Sequence, residues 1–187
     1  MAKQKNLDAP LPGTTLNWLL VALAWTLLPH LNRLPMWLSA FALILGFIRW
    51  VIYRRSLRLP PRWLLLIIAL VGAVGVFLQF GTLLGRSAGV ALLVLMLAFK
   101  LMEVRRLRDT MVVIFMGYFL VITNLFFSQN VLLALYLVVA VWMLTAALLE
   151  LIHSGGQILP TLKHAGRLLL QALPVMLVLF LLFPRVS

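Results

Sequence analysis

The chain has 187 residues, 64% hydrophobic and only 11% charged, with a mean hydropathy of +1.11. Soluble domains carry about 45–50% apolar and about 25% charged residues, so a water-soluble core of this composition is excluded. A net charge of +12, from 16 basic against 4 acidic residues, would suggest nucleic acid in a soluble protein. Here the basic residues sit at the ends of apolar runs, where they set topology and meet anionic headgroups, so no nucleic-acid partner is expected. There is no Cys. Disulfides, thiolate metal sites and a cysteine nucleophile are therefore excluded within this chain.

A helix needs about 20 mostly apolar residues to cross the bilayer. Backbone groups in lipid must be satisfied internally, so spans are helices or a closed barrel. A barrel strand would alternate apolar and polar residues. The run from Trp63 to Val71 does not alternate. The expected fold is an all-α, polytopic transmembrane bundle occupying 14–187.

Residues 1–13 read as a polar tail, with Lys3, Lys5, Pro10 and Pro12. Ala22 to Ala24 looks faintly like a signal cleavage site, but it lies inside the first apolar run, so no cleaved signal is expected. Span one runs from about Leu16 to Leu28 and span two from about Met36 to Tyr53, joined by a turn bounded by Pro29 and Pro35. Trp18, Trp25, Trp37 and Trp50 fall near the expected interfaces, which indoles favour. A basic loop with Arg54, Arg55, Arg58 and Pro60-Pro61 follows. Span three covers about 63–80 and contains Gly72 and Gly75, which would admit a close neighbour. Span four covers about 87–102, span five about 110–127, span six about 131–152 and span seven about 167–183, with Pro174 inside the last. That proline should kink its helix or free a carbonyl. Short loops predict that consecutive helices pack as antiparallel neighbours.

Placing the N-terminus inside puts thirteen basic residues on the inner side and three, Arg33, Arg86 and Arg185, outside. The excess of positive charge on the inner side favours N-terminus in and C-terminus out. Seven spans satisfy this, and so would five if one pair does not fully cross.

Few residues offer chemistry. Gly85-Arg86-Ser87-Ala88-Gly89 matches the nucleophile-elbow pattern, which needs a strand before it and a histidine and an acid nearby. A membrane turn precedes it instead. Gly81, Gly85 and Gly89, four apart, read better as a smooth packing face. His30, His153 and His164 lack the spacing of a metal pair on a helix and read as solvated or headgroup-facing. Neither a metal nor any cofactor is expected. Asn17, Gln79, Asn124 and Gln171 lie in or near spans and should hydrogen-bond between helices or line a substrate path. No Asp or Glu falls in mid-span, so a proton or cation relay has no evident carrier.

The cluster from Lys100 to Asp109 separates spans four and five. Lys100, Arg105 and Arg106 oppose the negative end of helix four. Glu103 lies three residues from both Lys100 and Arg106, within ion-pair reach. Asp109 should cap helix five. With Arg108 these residues form a cytoplasmic turn, suited to an anionic lipid or a cytoplasmic partner.

Gly81 to Leu93, Lys100 to Arg105, Arg108-Asp109 and Phe126 to Gln129 resemble the N-terminal membrane domain of bacterial TgpA-type transglutaminase-like proteins (the protein-glutamine gamma-glutamyltransferase family). The ending Leu182 to Ser187 resembles that domain's exit from its last N-terminal span. The likeness covers most of the chain after about Pro10. It implies a bacterial inner-membrane location and an outward C-terminus. It also implies a following periplasmic domain with a Cys-His-Asp site and then a final membrane helix. No residue here matches that catalytic site, so the expected role is anchoring without catalysis. The partners expected are the lipid bilayer and that periplasmic domain, with the chain read as a fragment or truncated product. A small transporter, channel or lipid-handling protein is the alternative.

Overall fold

The computed structural model describes residues 13–127, 130–153 and 158–182, with backbone alone at 153, 158, 177 and 179–181. Among these, seven α-helices carry nearly the whole chain: α1 (Gly13–Leu27), α2 (Met36–Arg54), α3 (Arg62–Phe80), α4 (Arg86–Glu103), α5 (Leu107–Leu125), α6 (Val131–His153) and α7 (Ile158–Leu182). A 3-10 turn, Leu28–His30, closes α1, and no strand occurs among the described residues. Among the described residues four helices, α2, α3, α5 and α6, are long and apolar enough to cross a membrane.

The helix ends follow from local chemistry. Helix α2 stops at Arg55, and the next two amides turn back onto it: Ser56 N–H donates to Tyr53 and Leu57 N–H to Ile52, at 3.2 and 2.9 Å. This Schellman closure places Ser56 at φ 50°, a left-handed conformation usually left to glycine. Pro60-Pro61 then holds the chain extended until α3 begins. Helix α3 ends where Gly81 turns left-handed (φ 67°) and its N–H reaches Phe77 O at 2.8 Å. Helix α7 starts nine residues before the expected 167, and it takes up Pro160 in its first turn. A proline is tolerated there because first-turn amides have no intrahelical partner. The helix continues on both sides of Pro174.

Helix α4 is the hub. It packs against α2, α3 and α5, while α6 packs against α5, α7 and α1. Most of the buried apolar side chains of the hub, among them Ala91, Val94, Leu95 and Ala98, come from its middle. The expectation that consecutive helices always neighbour each other needs correction. Helices α2 and α3 both lean on α4 and touch each other little, because the extended 57–61 connection carries α3 away from α2. Helix α1 packs more on α6 than on α2.

Polar bonds accompany the α1–α6 seam. Trp18 Nε1 donates to Met143 O at 3.2 Å, and Tyr136 OH donates to Trp25 O at 2.6 Å. The Trp25 and Tyr136 rings stack at 4.7 Å and 6°. Both tryptophans, expected near the membrane interfaces, are half-buried against α6, where a stacked partner and carbonyl acceptors lie. The Tyr118 and Thr145 hydroxyls, 2.8 Å apart, join α5 to α6, and Trp142 Nε1 donates to Leu162 O at 2.9 Å, joining α6 to α7.

The glycine expectations divide. A Cβ at Gly72 would come within 2.8 Å of Leu95, and one at Gly75 within 3.3 Å of Trp37. The proposed face of Gly81, Gly85 and Gly89 does not exist: a Cβ at any of the three meets nothing within 4 Å. Gly81 ends α3, Gly85 (φ 144°) precedes α4, and only Gly89 is helical. Four-residue spacing makes a stripe only on a continuous helix, and here a turn interrupts it. Gly117, unnoticed in the sequence, is where α1, α5 and α6 meet: a Cβ would lie 3.0 Å from Leu144 and 3.1 Å from Leu23.

Candidate functional site

Two clusters of polar side chains close opposite ends of the bundle. At the first end, α4 turns into α5 through Val104, Arg105 and Arg106. Asp109 was expected as the N-cap of α5. It sits instead in the first turn, and its Oδ2 accepts from the Arg105 and Arg106 amides, both at 3.2 Å, with Arg106 as the capping residue. The helix begins three residues before the expected 110, so Asp109 reaches back to satisfy free amides. Glu103 binds Lys100 Nζ at 2.9 Å and, across to the start of α3, Arg62 Nε at 3.3 Å. The Arg62 link ties the start of α3 to the end of its antiparallel neighbour α4. Arg105, Arg106 and Arg108 are exposed beside this network.

Arg49 is the residue at this end that sequence reading missed. It is buried on α2, and a terminal guanidinium nitrogen donates to Val104 O at 2.9 Å. It thereby satisfies a carbonyl that the end of α4 leaves free. Counting Arg49 only as one more inner positive charge concealed this role. A basic residue inside an apolar run, several residues before its end, was the available signal.

At the other end, the 3-10 turn after α1 brings His30 into the bundle. His30 was expected to face solvent or headgroups; it is fully buried, because the turn folds under the last turns of α5. Its Nε2 lies 2.8 Å from Asn124 Nδ2 and 3.1 Å from Leu120 O. Arg33 donates over a long 3.4 Å to Asn124 Oδ1. That contact orients the Asn124 amide, so its NH2 faces His30 and Nε2 accepts. The neutral imidazole then carries its proton on Nδ1, which is buried with no hydrogen-bond partner among the described residues. Burial is the main force lowering the His30 pKa; the Leu120 carbonyl pulls the other way, and the Arg33 charge adds to the lowering. Beside it, Arg33 and Arg86 each lie 5.1 Å from the centre of the Phe127 ring, and Arg86 donates to Phe126 O at 2.7 Å. Asn124, expected on a helix face, is thus held by His30 and Arg33.

The remaining residues stand apart. Ser87 is exposed in the first turn of α4, and among the described residues no hydrogen bond ties it to a histidine or an acid. His164 and Gln171 are exposed on α7, and the side chain of His153 lies outside the described residues. Glu150 is buried beside the first turn of α7 and accepts from Thr161 Oγ1 at 3.1 Å. Two lateral grooves open between helices. One of about 450 Å³ is lined by Asn17, Ala24, Gly46, Trp50 and Ala98 from α1, α2 and α4. The other, of about 480 Å³, lies between α2 and α3 and holds Trp37, Gly72, Gly75 and Gln79. Both are mainly apolar. The arrangement can hold helices together and meet charged surfaces at each end; among the described residues no serine is hydrogen-bonded to a histidine or an acid.

The sequence profile described as the TgpA N-terminal domain matches residues 18–187. The chain belongs to this family. It is also 42% identical over 179 residues to a protein-glutamine gamma-glutamyltransferase of Pseudomonas aeruginosa, covering 95% of this chain. The chain spans 27% of the length of that relative. No solved structure matches it.

Proposed function

We propose that the chain is a multi-pass domain of the bacterial inner membrane that anchors and positions a transglutaminase-like domain on the periplasmic side, without catalysis of its own. The observation that carries this is the coverage: a relative named as an acyltransferase is matched by nearly all of this chain, yet only along 27% of its length. The absence of cysteine agrees with a catalytic site elsewhere in such a protein. Four long apolar helices and three shorter or more charged ones support embedding in lipid. The charge asymmetry supports an inward N-terminus and an outward C-terminus, with seven crossings, and sets the Lys100–Asp109 turn in the cytoplasm.

Reporter fusions after Ser187 test the topology. A periplasm-only reporter should be active and a cytoplasm-only reporter silent. Activity of the cytoplasmic reporter sinks the orientation. Truncating these helices together with the final membrane helix from a full-length relative should release its acyltransferase from the membrane with activity retained.

Transport or lipid handling is the second reading, favoured by Asn17 and Gln79 in the lateral grooves. Replacing both with Leu discriminates. Loss of a solute or lipid flux from a protein that still folds would favour transport over anchoring.

A further inference from the structure

We propose that Arg33 and Arg86, clasping the Phe127 ring, hold the phosphate of an anionic phospholipid headgroup in the leaflet at their end of the bundle. The inference rests on the membrane reading above and adds a specific lipid site to it.

Charge comes first. Glu103, Asp109 and Glu150 cluster around the α4–α5 turn and the α6–α7 junction, at the opposite end, so among the described residues no carboxylate accompanies Arg33 or Arg86. Two guanidiniums are nonetheless gathered on one ring, each 5.1 Å from its centre. An anion between or beside them offsets their repulsion. Donor capacity comes second. A guanidinium has five N–H donors in a planar fork that matches a phosphate. Arg33 places one group on Asn124 and Arg86 one on Phe126 O, which leaves most of both forks unspent.

Preorganisation is the third argument. Arg33 is steered by Asn124, which the buried His30 holds, and Arg86 is anchored to the end of α5. Neither guanidinium must be ordered from a free state when a ligand arrives. The surroundings select the ligand. Leu84 is 87% exposed, Met36 88% and Phe126 58%, all within three residues of these cations or of Phe127. A free anion gains nothing from such neighbours, whereas an amphiphile buries acyl chain against them while its phosphate meets the arginines.

The test is native mass spectrometry of the full 187-residue chain released from detergent. It is equilibrated with equal amounts of phosphatidylglycerol and phosphatidylcholine bearing the same chains. The wild type should retain phosphatidylglycerol selectively. Arg33→Gln with Arg86→Gln should weaken that retention roughly 30-fold, at the usual ~5-fold for each arginine near an anionic headgroup. Arg105→Gln with Arg106→Gln, at the other end, should leave this lipid in place. Where the double variant fails to fold, Arg86→Gln alone, at the exposed guanidinium, should cost about fivefold. Equal retention by wild type and the folded variants overturns the site. So does displacement of the lipid by millimolar inorganic phosphate, which would make the ligand a soluble anion. Release of the wild-type chain from phosphatidylglycerol vesicles by an alkaline wash overturns the membrane reading, and this site with it.

Discussion

At the scale of single residues, the main lesson comes from His30 and Asn124, ninety-four positions apart and 2.8 Å from one another. Each looked unremarkable in the sequence: a loop histidine and a polar residue near a helix end. Their meeting depends on the 3-10 turn after α1, which no local pattern announces. The pair yields a pH prediction. Because burial above all holds the His30 pKa below the ordinary imidazole value, the unfolded chain takes up a proton before the folded one does. Stability is therefore complete above the unfolded pKa, about 6.5. It falls as the pH drops from there toward the depressed folded value. Thermal melts in detergent between neutral pH and pH 5 should show that decline, and His30→Gln should flatten it. A wild-type melting curve insensitive to pH over this window would exclude the buried neutral imidazole. Asn124→Leu removes both the donor facing Nε2 and the acceptor facing Arg33, at a cost of roughly 1–3 kcal/mol. A chemical or thermal unfolding series reads that loss directly, and an unchanged midpoint would mean the contact contributes nothing.

At the scale of elements, most helices were legible because apolar runs and their punctuation are local. Pro35, Pro60-Pro61 and Gly81 stand where helices begin or end, and six of the seven starts fall within three residues of the expected ones. The start of α7 was not legible, since a proline and a polar stretch usually signal a loop, and here they form a first turn. The glycine stripe failed for a related reason. Spacing by four carries information only if the helix is unbroken, and Gly81 and Gly85 lie on either side of a turn. A paired substitution separates the two roles. Gly81→Ala forces a side chain into the left-handed closure of α3 and should destabilise by about 1–2 kcal/mol. Gly89→Ala fills open space inside α4 and should stabilise by roughly 0.5–1 kcal/mol, because it restricts the unfolded chain. If Gly89→Ala instead destabilised by as much as Gly81→Ala, Gly89 would be a packing residue after all.

At the scale of the whole molecule, lateral order was the least legible feature. Every helix is apolar on most faces, so periodicity does not say which face meets which neighbour. The partner of α1 is decided instead by side-chain chemistry far apart in the chain: Trp18 with Met143, and Trp25 with Tyr136. Among the described residues α1 is the shortest α-helix, with 15 residues, yet Leu16, Leu19 and Ala22 are fully buried. A segment too short to span comfortably by itself is held by its neighbours. That arrangement predicts a specific cross-link. The chain has no cysteine, so introduced pairs report without background. Trp25→Cys with Tyr136→Cys replaces two rings stacked at 4.7 Å. A short bifunctional thiol reagent should join them within one chain, and cleavage at a protease site inserted in the α2–α3 connection should then leave the two halves linked. A pair such as Trp25→Cys with Trp63→Cys, which places the second thiol on the exposed face of α3, should stay unlinked under the same conditions. Linking of the control alone would place α1 against α3, and the core would then have to be rebuilt around a different neighbour of α4.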